Sequence, residues 1–146
     1  YWHGNEPDIH AAYLYLWAGR PDRTQEEVRW VLFTKYDETP AGLDGNDDGG
    51  TLSAWYVFSA AGIMPIPATN RYYIGSPIFR RTVFEIGGGS FEIEAPGVSP
   101  RNRYVRKATL NGEPLRTPYF THEQIKDGGR LVLEMAPEPS GWFTDF

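Results

Sequence analysis

The chain has 146 residues, of which 40% are apolar and 15% aromatic, and it contains no cysteine. This composition suffices for a packed core and excludes an intrinsically disordered chain, disulfides and thiolate metal sites. The net charge of −5 argues against a nucleic-acid partner, because phosphate binding needs a basic surface. No apolar run approaches the roughly 20 residues of a membrane span. The opening YWHGNEP lacks an initiator methionine, so we expect a piece of a longer protein.

Acidic residues are concentrated in the first half of the chain. Residues 1–68 hold four Lys or Arg against ten Asp or Glu, a net of −6, whereas residues 69–146 hold ten against nine, a net of +1. The hydrophobic period also changes near Pro67, from helical to alternating. We therefore predict an α+β protein with helices in residues 1–68 and a small antiparallel β-sheet or sandwich in residues 69–146.

Three helices are predicted in the first region. The spacing of apolar side chains between Ile9 and Trp17 favours the first helix. The segment TQEE has the form of a capping box, which would begin the second helix at Thr24. Thr51 is predicted to cap a third helix, LSAWYVFSAAGI, which is apolar on nearly all sides and is therefore expected to be buried.

The second region shows the alternation of strands. TVFEI and SFEIEA flank a triple-glycine turn at residues 87–89, and their apolar side chains would share one face. YVRKATL leads into Asn111-Gly112, a strong hairpin signal. RLVLEM alternates again through Leu131, Leu133 and Met135. These patterns predict an antiparallel sheet.

The loop GLDGNDDGG carries the densest group of acids. Asp44, Asn46 and Asp48 have the spacing of the first half of an EF-hand loop, but the twelfth position, where a bidentate Glu is required, is Trp55. An EF-hand is therefore rejected. Two interpretations stay open: a solvated loop whose acids, Asp47 among them, cap the third helix, or carboxylates that face a cavity and hold a hard cation or activate water.

A second polar cluster, HGNEPDIH, favours the cavity. It places Asn5 and Glu6 at the start of the first helix, so two glycine-preceded helix starts could meet at one pocket. Taken alone, the cluster would slightly favour an ordinary N-cap with a first-turn acid. His3 and His10 are weak ligand candidates, because a lone histidine is more often structural, and His122 is assigned no role.

Long segments of the chain resemble one enzyme family. GNEPDIHAAYLYLWAGRPDRTQEEVR, GLDGNDDGGTLSAWYVFSAAGIMP and YYIGSPIF, in this order, are similar to the C-terminal part of the family 92 glycoside hydrolases, which are calcium-dependent inverting exo-α-mannosidases, many of them acting on α-1,2-mannosides. The resemblance implies the last helices of an (α/α)6 barrel followed by C-terminal strands. An N-terminal β-sandwich and the remainder of the barrel would lie upstream in the parent chain.

The resemblance also implies roles for the two motifs. Asn5 and Glu6 would contribute to a Ca²⁺ site, and Glu6 and Asn46 would contact the mannose-containing glycan. Asp47 or Asp48 would be the general base, and the choice between them stays open. No segment here resembles the one that carries the general acid, so the fragment 1–146 is expected to be inactive alone.

Other functions remain possible at this stage. A non-catalytic calcium- or carbohydrate-binding module could use Tyr72, Tyr73, Tyr104 and Tyr119 on a sheet face. Another (α/α)6 glycosidase, or a structural domain whose acids are only caps, is also consistent with the residues. Asp44 stands where we expect proline in many relatives, and it is left out of the site. The family implies a periplasmic, cell-surface or secreted location.

Overall fold

The computed structural model describes residues 1–143 and has the predicted α+β fold. Two α-helices, α1 (Pro21–Thr34) and α2 (Thr51–Ala61), lie in the first half. Short 3-10 turns lie at Glu6–Asp8, Ala11–Leu16, Asp48–Gly50 and His122–Gln124. Within the described part of the chain, the search for an apolar helix that could cross a membrane finds none.

The first predicted helix is two 3-10 turns rather than one continuous helix. The indole Nε1 of Trp55 donates a hydrogen bond of 2.9 Å to the carbonyl oxygen of Ile9. The amide of Tyr13, which would bond to that carbonyl in an α-helix, instead bonds to the carbonyl of His10 at 2.9 Å. A tertiary contact with α2 thus replaces a helical one.

The capping predictions for the next two helices are wrong. Helix α1 begins at Pro21, whose fixed φ suits the first helical position, and Thr24 is buried inside the helix. The N-cap of α2 is Gly50, and the hydroxyl of Thr51 donates to the carbonyl of Asp48 at 2.7 Å. A capping box does occur elsewhere, at Thr121. Local capping signals identified helices correctly here but not their first residues.

The strands form two sheets. The eight strands are β1 (Ile63–Pro65), β2 (Arg71–Ile74), β3 (Arg81–Ile86), β4 (Gly89–Glu94), β5 (Tyr104–Leu110), β6 (Glu113–Pro114), β7 (Tyr119–Thr121) and β8 (Gly129–Ala136). One sheet has the order β1-β2-β7, and the other has the order β3-β4-β8-β5-β6. The sheets therefore combine strands from distant parts of the sequence.

The alternating patterns predicted faces and turns correctly, but not every strand direction. Phe84 lies opposite Phe91, the hairpin at Asn111-Gly112 joins β5 to β6, and Leu131 is fully buried. However, β4 and β8 pair in parallel, so the larger sheet is mixed rather than antiparallel. Alternation reports which side chains face the core, and it is the same for both directions.

Two apolar clusters fill the interior. One joins the 3-10 turns, α1 and α2 around Leu16 and Trp55, and the other lies on the larger sheet around Phe91 and Leu133. Strand β1 belongs to the smaller sheet although it precedes the predicted boundary at residue 68. The division into two regions at that residue stays a prediction.

Helix α1 is anchored to the strands by polar side chains. The guanidinium of Arg29 is buried and donates to the hydroxyl of Ser76 at 2.9 Å and to the carbonyl of Pro77 at 2.5 Å. The amide of Val105 donates to the side chain of Gln25 at 3.1 Å. These bonds fix α1, and hence the loop that follows it, relative to the sheets.

Candidate functional site

The two polar motifs lie in backbone contact. A Cβ placed on Gly4 would clash with the carbonyl of Asp44, and one placed on Gly45 would clash with the carbonyl of Gly4. The indole of Trp2 also donates to the carbonyl of Asp44 at 3.1 Å. Only glycine permits so close an approach, so the GNEP and GNDD segments meet where each of them carries a glycine.

Asp47 is held against the start of α2. Its Oδ1 accepts the backbone N–H of Ser53 at 3.0 Å, and its Oδ2 accepts the Ser53 hydroxyl at 2.6 Å. Ser53 is the third residue of α2, where a backbone N–H has no partner within the helix. The hydroxyl first, and then the backbone N–H, hold the pKa of the Asp47 carboxyl below its usual range.

Asp48 and Asn46 are exposed, in contrast to Asp47. Neither side chain makes a hydrogen bond to another part of residues 1–143. The chain turns sharply after Asp48, because Gly49 and Gly50 both adopt left-handed conformations, with φ of 63° and 76°. That turn is where the glycine pair is required, and it leaves the Asp48 side chain in solvent.

Glu6 and Asn5 lie on the other motif. The amide nitrogen of Asn5 donates to a carboxylate oxygen of Asp8 at 3.1 Å. Glu6 is half-buried, and its Oε1 is buried without a hydrogen-bond partner in the described structure. Asp44 Oδ2 is also buried without a hydrogen bond, but the Lys35 ammonium lies 3.2 Å from it, whereas no cation pairs with Glu6 within the described residues. A buried carboxylate oxygen without a partner is costly, so Glu6 Oε1 indicates a missing ligand or neighbour.

Glu6 lines a cavity of about 520 Å³. Its wall is mostly apolar and includes Trp17 and Tyr73, whose rings meet edge to face at 5.8 Å. Thr51, the first residue of α2, also lines it. Asp47 and Asp48 do not line it, and a single pocket shared by the acids of both segments stays a prediction.

The side chains of Asn5 and Glu6 offer the kind of oxygen ligand that a hard cation binds, but they are too few to complete its coordination. Asn5 and Glu6 offer oxygen atoms, which Ca²⁺ prefers, and one of these atoms has no partner. Ca²⁺ takes six to eight oxygen ligands. No group of three or more His, Asp or Glu that could hold a metal ion occurs within residues 1–143. Further ligands would have to come from outside the described chain.

His3 joins three segments from a fully buried position. Its Nε2 lies 2.5 Å from the Tyr36 hydroxyl, which itself donates to the carbonyl of Leu52 at 3.0 Å. Because that hydroxyl has one proton, His3 must donate through Nε2, and its Nδ1 accepts the Tyr1 hydroxyl at 2.8 Å. Burial lowers the pKa of His3 to about 4, so the ring is neutral at pH 7. His3 is structural.

The remaining polar candidates have ordinary roles. Asp44 forms an ion pair with Lys35, at 3.2 Å, which is consistent with leaving it out of the site. Trp55, which occupies the twelfth position where an EF-hand loop needs Glu, carries no carboxylate and is buried in α2. His10 is exposed at the rim of the cavity, and His122 lies 3.1 Å from the Tyr72 hydroxyl.

The four tyrosines proposed for a sugar-binding sheet face do not form an exposed row. Tyr73 and Tyr104 are buried. Tyr72 stacks on Phe120 at 5.2 Å, and the guanidinium of Arg71 covers the ring of Tyr119 at 4.4 Å. Because these rings are buried or pack against other side chains of the protein, the structure gives no support to a sugar-binding module on this face.

Sequence reasoning missed two residues of this region. Ser53 was not singled out, although a serine three residues into a helix that follows an acidic loop could have been recognised as a partner for one of the acids. Tyr36 lies two residues after the end of α1, and no local signal marks it as the partner of His3. Both contacts join residues that the chain brings together by folding.

The sequence matches the glycosyl hydrolase family 92 catalytic domain, whose family model aligns with residues 1–137. The chain belongs to this family. A protein of Arthroderma benhamiae named an uncharacterized secreted glycosidase is 32% identical to this chain over 97% of its length. The family resemblance predicted from the two motifs is thus confirmed.

Solved structures of the family share the fold. A family GH92 α-mannosidase of Bacteroides thetaiotaomicron, in complex with mannoimidazole, has a TM-score of 0.91 at 39% identity over 97% of this chain. An inverting family GH92 mannosidase of the same species has a TM-score of 0.87 at 40% identity. This GH92 chain spans only 19% of the length of these proteins and of the Arthroderma relative.

Proposed function

We propose that the protein containing this GH92 chain is a calcium-dependent inverting exo-α-mannosidase that hydrolyses terminal α-mannosides of glycans, with α-1,2 linkages as the preferred substrate. Family membership supports the glycosidase class, and relatives named as mannosidases, one of them inverting, support the sugar and the stereochemistry. The linkage preference follows the family resemblance, and it is tested below.

The observation that carries this proposal is the contact between the two motif segments at Gly4 and Gly45. It brings the segment that carries Asn5 and Glu6 into backbone contact with the segment that carries Asp47 and Asp48. A structural domain whose acids were only caps would not need the two segments to touch through a pair of glycines. It would also not leave Glu6 Oε1 without a partner.

The chemistry of inversion needs two carboxyl groups. One protonates the leaving oxygen, and the other activates a water on the opposite face of the sugar, with about 6.5–9.5 Å between them. Asp47 or Asp48 supplies the second group in our proposal, and Glu6 and Asn46 bind the sugar hydroxyls. The general acid belongs to a part of the protein outside this chain.

Asn5 and Glu6 are the residues that would hold Ca²⁺. The ion, when bound, would orient sugar hydroxyl groups and favour a distorted ring. Glu6 Oε1 is available for such a role because it lacks a partner among residues 1–143. The residues of this chain would orient the sugar and exclude water from its apolar face, for which Trp17 and the cavity wall provide the surface.

The decisive experiment uses the intact parent protein. Mannose release from α-1,2-mannobiose is measured before EDTA treatment, after it, and after addition of Ca²⁺. Activity that EDTA abolishes and Ca²⁺ restores supports the whole proposal, and equal activity with EDTA contradicts the role of the ion. Release from α-1,3- or α-1,6-mannobiose at a higher rate would contradict the linkage, and no release from any α-mannoside would contradict the activity.

We further propose that residues 1–146 need the rest of the parent chain. Trp30 and Phe33 on α1, Val57 on α2, and Leu14 and Trp17 near the cavity are all exposed. The upstream β-sandwich and the remaining helices of the (α/α)6 barrel would cover them. Purified 1–146 is expected to release no mannose because it lacks the general acid, and measurable turnover would contradict this.

An extracytoplasmic location is part of the same proposal. The Arthroderma relative is named a secreted glycosidase. An enzyme that trims external glycans meets its substrate in the periplasm, at the cell surface or in the medium. Fractionation of the producing cells, with the protein found only in the cytosol, would contradict this location.

A further inference from the structure

The turn between β5 and β6 contains the one Asn-Gly pair of the sequence, Asn111-Gly112. Both residues are exposed and have positive φ, 53° for Asn111 and 89° for Gly112, as a type I′ hairpin turn requires. Asparagine followed by glycine is also the pair in which the backbone reacts most readily with the side chain, because glycine has no Cβ to shield its amide nitrogen. The turn therefore combines a favourable hairpin sequence with a chemically reactive one.

The reaction is a loss of ammonia followed by an uptake of water. The amide nitrogen of Gly112 gives up its proton and bonds to Cγ of Asn111, the bond from Cγ to Nδ2 breaks, and ammonia leaves with that proton. Water then opens the cyclic imide at one of its two carbonyl groups. One opening leaves aspartate at this position, and the other leaves isoaspartate, in which the side-chain carbonyl has become part of the backbone. No reactant other than water is consumed.

Two hydrogen bonds fix the Asn111 carboxamide in the folded protein. Its Oδ1 accepts the backbone N–H of Arg130 at 2.9 Å, and its Nδ2 donates to the carbonyl of Gln124 at 3.0 Å. Gly129 leaves the room that the carboxamide occupies, since a Cβ there would lie 2.6 Å from Oδ1. Rotation of the carboxamide towards the Gly112 nitrogen therefore requires both side-chain bonds to break.

We propose that Asn111 is a deamidation site that the folded protein protects through these two hydrogen bonds. The inference does not depend on the proposed function. Both partners are backbone groups, one on β8 and one on the 3-10 turn at His122–Gln124, so no side-chain motion can withdraw them. The backbone N–H of Asn111 also donates to the carbonyl of Arg130, at 2.8 Å. Asn111 becomes reactive when the turn separates from these segments.

Deamidation would weaken the contacts that had prevented it. Aspartate keeps an acceptor for the N–H of Arg130, but it replaces the Nδ2 donor with a carboxylate oxygen that faces the carbonyl of Gln124. Two acceptors that face each other repel, and a hydrogen bond is lost. Isoaspartate adds a carbon to the backbone of a two-residue turn, which disturbs the pairing of Leu110 with Glu113 as well. Each product therefore favours the open turn, and refolding does not reverse the change.

Shielding of the turn by the rest of the parent protein is the competing explanation for slow deamidation. Shielding predicts that the turn stays closed whatever the side chain at position 111 can donate. Protection by hydrogen bonds predicts that loss of the Nδ2 donor alone opens the turn more often. The rate of deamidation and the rate of local opening therefore have to be measured separately.

The first test compares rates of deamidation at mildly alkaline pH. The intact parent protein and a peptide with the sequence of residues 109–115, TLNGEPL, are incubated together, and the modification of Asn111 is followed by peptide mapping with mass spectrometry. We expect Asn111 to react roughly 10- to 100-fold more slowly in the folded protein, because both hydrogen bonds must open first. The protein unfolded in guanidinium chloride should approach the rate of the peptide. Equal rates in the folded protein and the peptide would overturn the inference.

The second test compares two substitutions that introduce the same charge. Asn111→Asp removes the Nδ2 donor, and Asn70→Asp is the matched control, because Asn70 is exposed and its side chain makes no hydrogen bond among residues 1–143. Hydrogen–deuterium exchange of the backbone amides in residues 109–115 is measured in the intact parent protein. We expect roughly tenfold faster exchange in Asn111→Asp and wild-type exchange in Asn70→Asp. Wild-type exchange in both variants would assign the protection to shielding and overturn the role of the hydrogen bonds.

Discussion

The carboxylates on the outer face of the larger sheet and the carboxylate of Glu6 differ in whether they have partners. On the sheet, Glu92 pairs with Arg81 at 2.5 Å, and Glu134 pairs with Arg106 at 2.9 Å. In the loops, Glu6 keeps a buried oxygen without a partner. A face that only meets solvent can pair its charges locally. A carboxylate left without a partner beside a cavity is available to something outside the described chain.

The helical and strand halves of the chain also differ in the number of large apolar side chains that they expose. Eight of the ten large hydrophobic residues that are exposed among residues 1–143 lie in the helical half. Phe79 and Val83 are the two in the strand half. Large exposed apolar side chains are therefore concentrated in the helical half, which agrees with our proposal that other parts of the parent protein cover it.

The largest effect that would sharpen this contrast is on catalysis. Asp47→Asn and Asp48→Asn are compared in the intact protein, and the one that removes the proposed general base should lower kcat about 10²- to 10⁴-fold, because the amide cannot accept the proton of the attacking water. Glu85→Gln, on an exposed position of β3, is the matched control and should leave kcat unchanged. Steady-state kinetics on α-1,2-mannobiose measures kcat for each variant. Wild-type kcat in both Asp47→Asn and Asp48→Asn would contradict a catalytic role for this loop.

The second prediction is that the buried His3 makes the stability of the helical half decrease at acidic pH. The pKa of His3 is near 6.5 in the unfolded chain and about 4 in the folded one. The folded state therefore loses stability as pH falls from 6.5 towards 4, by up to about 3 kcal/mol, since each pKa unit corresponds to about 1.4 kcal/mol. Urea unfolding at pH 7.5, 5.5 and 4 should show a weaker dependence in His3→Gln. The same dependence in both proteins would contradict this.

The contact between the two motifs gives a third prediction. Gly45→Ala should destabilise the folded protein by about 1–3 kcal/mol, because its Cβ would overlap the carbonyl of Gly4. Gly87→Ala is the control, since no atom lies near its Cβ position. Chemical unfolding of both variants tests the difference. A Gly45→Ala protein as stable as Gly87→Ala would mean that the loops are not held in contact.

The smallest effect is expected on the sheet. Arg81→Ala breaks an exposed ion pair with Glu92 and should leave the unfolding midpoint nearly unchanged, because solvent and salt screen such pairs. A double-mutant cycle with Glu92→Gln measures the coupling. Strong coupling that persists at high salt would show that this face, too, depends on specific charge interactions.

Particular elements show how far the sequence could be read. The strands from Arg81 to Glu94 and the hairpin at Asn111 were predictable, because alternation and turn chemistry are local. The start of α1 was not, because Thr24 is drawn into the core whereas Pro21 begins the helix. The parallel pairing of β4 with β8 could not be predicted from the sequence either, because the direction of pairing depends on the path of the chain between the two strands.

The sequence by itself determined the family, the α+β class and the identity of the polar motifs, because long motifs and hydrophobic periods are written along the chain. Only the tertiary structure decided that Gly4 meets Gly45, that Ser53 holds Asp47 and that Glu6 keeps a buried oxygen free. These are contacts and absences of contact in space. Their energies depend on burial and on geometry within a few tenths of an ångström, which no local pattern of residues records.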